Sequence, residues 1–120
     1  MDNSISSGGQ CEESSSNSAI EINRMMRSFR ERFEPLHPVI VRRVDMKGEW
    51  GDAGISVRKG KPHFLVRIEK SLSIEAQVLI LIHELAHCLQ WRSNEESRES
   101  DHDAEWGIAY ARLWSALFAE

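Results

Sequence analysis

Cysteine is scarce in this chain: 120 residues contain only Cys11 and Cys88. Small secreted domains that depend on disulfides carry four, six or eight cysteines. A disulfide framework is therefore excluded, and two reduced thiols in a cytoplasmic protein are expected. Long apolar runs are also missing. The longest, Val78-Leu79-Ile80-Leu81-Ile82, falls far short of the roughly 18 residues that cross a bilayer, so no membrane association is expected. The N-terminus lacks the basic start and apolar core of a secretory signal. Positive charge is not in excess either. The formal net charge is −4, whereas proteins that live on nucleic-acid phosphates are usually basic. Tight, non-specific DNA or RNA binding is disfavoured on that ground. What remains is ordinary globular composition, 41% hydrophobic and 28% charged, in a chain with room for one domain.

Residues 1–18 are rich in Ser, Asn and Gly, with Ile5 nearly alone as a large apolar side chain. Such a segment buries too little surface to offset its ordering entropy, so 1–18 reads as a disordered tail and 19–120 as the domain. The tail holds Asp2, Glu12 and Glu13 and no base; without them 16 acids face 15 bases. Ser18 is placed to cap a helix from Ala19, in which Ile22, Met25, Met26 and Phe29 recur at helical spacing and Phe33 extends the stripe. Pro35 and Pro38 end it. Residues 39–44 read as a strand, Gly48, Gly51 and Gly54 as turns around Trp50, and 55–58 and 63–68 as a hairpin closed by a turn over 59–62. A second helix runs from Ser71 or Ser73 to about Trp91. Its residues 78–82 are apolar on every side, which implies burial all round. After a polar loop, a last helix starts near Asp101 or His102, with an apolar stripe of Trp106, Ala109, Tyr110, Leu113, Trp114 and Leu117. The expected fold class is α+β: an N-terminal helix, a small three-stranded sheet, a second helix and a C-terminal helix.

The second helix contains His83-Glu84-Leu85-Ala86-His87. At 3.6 residues per turn, two histidines four apart lie about 40° from one another around the axis, so both imidazoles reach one metal ion. Glu84 points to the adjacent part of the surface, where it sits beside the ion's open position instead of ligating it. Zinc sites of this kind use neutral imidazoles and leave one position for water, and the carboxylate serves as general base and then acid. Two histidines and a glutamate are costly to bury in so apolar a helix without partners. A third protein ligand is needed. His102 fits: it lies fifteen residues after His87, at the head of the last helix and on its inward stripe. Glu105, one turn further on, is the rival, because glutamate also completes such sites.

Asp103 either hydrogen-bonds a ligand histidine or caps the last helix. Tyr110 lies on the packing stripe, His37 and His63 read as structural or exposed, and Cys88 as a core residue. Trp91 is placed to close the site from beneath.

The segment His83-Glu84-Leu85-Ala86-His87, followed by Asp101-His102-Asp103-Ala104-Glu105-Trp106-Gly107, resembles the SprT-like zinc metallopeptidases, especially the small stand-alone versions of bacteriophages and bacteria. The resemblance spans residues 19–120, with its specific motifs in 83–107. It implies a minimal zincin-like domain, Zn2+ held by His83, His87 and His102, Glu84 as the catalytic residue, and Trp106 as the aromatic after the third ligand. Asp101 and Asp103 stand where that family commonly has glycine. Larger relatives carry a zinc ribbon or other DNA-binding parts. This chain has no Cys-x-x-Cys pair and no basic tail, so the resemblance allows DNA association that the charge does not support.

Three functions are open at this point. The first is a monomeric zinc metallopeptidase that hydrolyses peptide bonds of a protein or peptide substrate. The second is a non-enzymatic zinc-binding accessory module that binds a host or phage partner; Glu84 argues against it, since a structural zinc site needs no general base. The third is a hydrolase of another bond, such as a non-peptide amide.

Overall fold

The computed structural model describes residues 3–91 and 104–118, with side chains described over 17–91 and 106–118. The element order is α1 (Asn3–Arg32), β1 (Val39–Val44), β2 (Gly51–Arg58), β3 (Lys61–Glu69), α2 (Ile74–Gln90) and α3 (Ala104–Phe118). Among the described residues, three helices and one mixed three-stranded sheet make an α+β fold.

The apolar stripe of α1 behaves as its spacing requires: Ile22, Met25, Met26 and Phe29 are buried, and Phe33 just beyond the helix joins them. The helix itself begins at Asn3, well ahead of Ala19. Ser, Asn and Gly are weak helix formers, which is why the sequence places the start later. Ser18 is not a cap. It is 2% exposed, and its hydroxyl accepts a hydrogen bond from Gln77 Nε2 at 3.5 Å, so its oxygen serves a tertiary contact.

In the sheet, β3 is central, parallel to β1 and antiparallel to β2. This order puts the strand with the most buried side chains where both flanks are covered, and Phe64, Val66 and Ile68 are fully buried against the helices. The β2–β3 hairpin turns on Lys59 and Gly60, with φ of 53° and 77°, a tighter turn than residues 59–62. Two successive left-handed residues match the twist of the flanking strands. Strand β2 starts at Gly51, so Gly51 and Gly54 lie within the strand, and of the three glycines around Trp50 Gly48 alone, with φ of 104°, occupies a left-handed turn.

Ser73 caps α2, its side chain accepting from Ala76 N–H at 3.2 Å. Glu75 in the first turn suits the helix dipole. Burial all round is corrected: Leu81 and Ile82 are fully buried, but Leu79 is 47% exposed. Nearly half of this side chain is left uncovered, so hydrophobicity there does not translate fully into packing.

Gln77, 1% exposed, ties four segments together. Its Oε1 accepts from Arg43 Nε at 2.9 Å, and its Nε2 donates to Leu72 O at 2.8 Å and Lys70 O at 3.2 Å as well as to Ser18. Gln77→Leu conserves bulk but strands these partners, and stability is expected to fall by about 2 kcal/mol. Urea unfolding with an unchanged slope would show it; an unmoved midpoint would mean that water replaces the amide.

Glu69 pins the connections near the sheet end, accepting from Met46 N–H at 2.7 Å and Ser71 N–H at 3.1 Å. Met46 N–H first, then the Ser71 hydroxyl and the Ser71 N–H, hold its carboxyl below the usual range. The contribution is therefore present above the ordinary carboxylate pKa and lost as pH falls through the lowered one.

On α3, Ala109 and Leu113 are buried, and Trp106, Tyr110, Trp114 and Leu117 pack half-buried on the core. The expected start at Asp101 or His102 lies outside the described residues. Among the described residues no helix is long and apolar enough to cross a membrane.

Candidate functional site

His83 and His87 lie one turn apart on α2, with ring centroids 5.0 Å apart and planes at 69°. An ion held tetrahedrally at about 2.0–2.1 Å from one nitrogen of each ring would separate the centroids by about 5 Å. The centroid separation of His83 and His87 equals that distance. Among the described residues no third His, Cys, Asp or Glu stands with them as a metal-binding group. His102, Asp101 and Asp103 lie outside the described residues. Glu105 lies in the first turn of α3, with only its backbone described.

Trp106 brings α3 to this pair. Its ring packs 5.2 Å from His83 and 5.7 Å from His87 between centroids, and its Nε1–H donates to His83 O at 3.4 Å. Tyr110 stacks behind it at 4.8 Å and 15°, and meets Trp114 at 6.1 Å. Tyr110 is thus part of the packing ladder of α3, as its position on the stripe implies. The head of α3 is fixed beside the two histidines through one indole.

Glu84 occupies the adjacent face, turned towards β2, and is 8% exposed. The strand approaches closely here. A Cβ on Gly51 would lie 2.4 Å from Ile80 Cγ2, 2.9 Å from the Arg67 carbonyl oxygen and 3.9 Å from Glu84 Cγ. Only glycine permits β2 to rest on α2 at this point. Gly51→Ala must push strand from helix, at an expected cost of about 1–3 kcal/mol. Combining it with Ile80→Ala, which removes the nearer obstacle, is expected to give a smaller loss than the sum of the two single changes. Strict additivity in thermal or urea unfolding would show that the strand shifts elsewhere.

A cavity of about 510 Å³ opens between the start of β2 and α2, lined by Gly48, Glu49, Trp50, Gly51, Ile80, His83 and Glu84. Its outer wall is a pinned loop. Lys47 and Gly48 take φ of 57° and 104°, Lys47 N–H donates to Asp45 Oδ1 at 3.0 Å, and Trp50 O accepts from Glu69 N–H at 2.8 Å. One solvent-open cavity is therefore shared by a candidate metal ligand, His83, and a candidate proton acceptor, Glu84.

Other side chains fall into structural roles. Cys88 is fully buried, and burial, with the charge of Glu84 as a lesser cause, pushes its thiol well above the usual range. It stays protonated and packs in the core. His37 lies tilted against Phe64 at 5.2 Å, His63 is half-buried on β3, and Trp91 packs on Phe64 at 5.5 Å beyond the C-terminus of α2. Two contributors escape a sequence reading: Gly51, taken for a turn residue, and Trp106 as a contact of both histidines. The alternation that begins at residue 55 extends back through Ala53 to Gly51, which is the one local sign that Gly51 belongs to the strand. Comparison of the chain with known protein families, with characterised proteins and with solved structures finds no match.

Proposed function

We propose that this chain is a zinc-dependent metallopeptidase of minimal zincin-like build, acting in the cytoplasm as a monomer on a protein or peptide substrate, in keeping with its resemblance to the SprT-like enzymes. The observation that carries the reading is the His83–His87 pair at 5.0 Å with Glu84 lining the same cavity as His83. His83 and His87 would hold the ion, with His102 as the proposed third ligand. When bound, zinc supplies Lewis acidity, drawing the pKa of water towards neutrality and polarising a carbonyl oxygen.

The rest is done by the chain. Glu84 accepts the proton of the attacking water and returns it to the departing amine nitrogen. Glu84 is nearly buried, with its Cγ close to Gly51, and it lines the cavity that His83 also lines. Among the described residues strand β2 pairs only with β3, along one side, so its other edge has backbone groups to offer. An extended polypeptide adding there as a further strand would run past the cavity.

The test measures zinc by elemental analysis and cleavage of an unfolded protein on the same samples of the full chain and of Glu84→Gln. Zinc binding with Glu84-dependent cleavage supports the reading. Zinc binding with no cleavage of any unfolded protein favours the accessory-module function, and absence of zinc from protein refolded with the ion overturns both.

A further inference from the structure

Trp50 stands on the wall of the cavity that His83 and Glu84 share, yet it is 67% exposed. An indole gains most when buried, and the described tryptophans Trp91, Trp106 and Trp114 are all packed against the core. Trp50 is not carried on a loose loop. Its carbonyl is held by Glu69 N–H at 2.8 Å, the turn before it is set by left-handed Lys47 and Gly48, and Gly51 after it is pressed on Ile80. A large apolar surface is thus presented at a fixed place beside the candidate chemistry. Further along the same strand, Ile55 is 44% and Val57 66% exposed. An exposed apolar edge strand favours aggregation, a liability that a ligand lying along it would relieve. The cavity lining includes Glu49 and Glu84 and no Lys or Arg, which disfavours an acidic guest.

Resting on the peptidase reading above, we propose that Trp50 is a specificity-determining residue: its indole is the surface on which an aromatic or large aliphatic side chain of an extended polypeptide packs, next to the bond to be cleaved. Acidic side chains are rejected there by Glu49 and Glu84. The preferred substrate is accordingly an unfolded, apolar-rich segment, of the kind that folded proteins keep inside.

The experiment uses zinc-loaded full chain and a set of fluorogenic decapeptides of Ala, Ser and Gly, in which a single Phe is moved position by position. Parallel sets carry Leu, Arg or Asp. One position is expected to favour Phe and Leu over Ala by about 10–200-fold in kcat/KM, the range a hydrophobic contact delivers, with Asp below Ala. Trp50→Ala should flatten this preference to within about threefold, and Trp50→Phe should keep most of it. The same peptides, fluorescein-labelled, are titrated by anisotropy into the Glu84→Gln protein with and without Trp50→Ala, so that recognition is read without turnover.

A Phe preference that survives Trp50→Ala, or a preference for Arg in place of Phe, overturns the proposal and leaves the peptidase reading intact. Trp50-dependent binding of Phe peptides without cleavage by the wild type supports the recognition site and removes the peptidase reading. Neither cleavage nor binding removes both.

Discussion

Glu84→Gln is expected to keep its zinc and lose hydrolysis by about 10²–10⁴-fold, the usual contribution of a general base. Glutamine is nearly isosteric with glutamate, so the close fit of residue 84 against Gly51, where a Cβ would stand 3.9 Å from its Cγ, is preserved. The rings of His83 and His87 pack on Trp106, a contact that the change does not touch. What is removed is the ability to accept a proton inside the cavity. Because Glu84 is buried to 8% exposure, replacing a charge by a neutral amide there should not lower the melting temperature by more than a few degrees. A variant that loses zinc and stability together would show that Glu84 holds the site together. A variant that retains both zinc and full activity would move the base to another carboxylate, and Glu105 and Asp103 would be examined next.

His102→Ala is expected to weaken zinc binding by more than about 100-fold, beyond the 10–100-fold typical of residues that only support a ligand. Glu105→Ala should remain near the wild-type affinity. Competition with a chromophoric chelator measures both. The grounds are the two histidines already set at a separation that suits zinc, and the head of α3 held beside them through Trp106. A site with two imidazoles needs one more protein donor, and His102 lies two positions ahead of Ala104, where α3 begins. The reversed order, with Glu105→Ala costing the zinc, would make the site one of two histidines and a glutamate. Equal, small effects would place the third ligand elsewhere in the chain.

Much of the architecture was legible because it is local. The stripe Ile22, Met25, Met26, Phe29 is a helix face whatever surrounds it, and each member is buried. The bounds of β1 are those that Val39–Val44 suggest, since a run of β-branched residues between Pro38 and a polar turn has few alternatives. Of the two serines at which α2 is expected to begin, Ser71 and Ser73, it is Ser73 that caps the helix. Misreadings arose where a residue's role depends on a distant neighbour. Ser18 looked like a cap, yet Gln77, far along the chain, uses its hydroxyl. Leu79 looked like a core residue, yet 47% of it faces outward, because composition says how apolar a helix is and not how many neighbours it will have.

The sequence by itself determined the α+β class, the helix that carries His83, Glu84 and His87, and the faces on which those residues emerge. Each of these follows from the fixed rotation and rise per residue, which a spacing of one or four encodes directly. The tertiary structure alone decided that β3 is central and β1 parallel to it, that Gly51 meets Ile80 and makes the wall beside Glu84, and that Trp106 covers both histidines. Those contacts join residues far apart in the chain. They depend on how whole elements pack to bury Phe64, Val66, Leu81 and Leu85, and no local periodicity records that outcome.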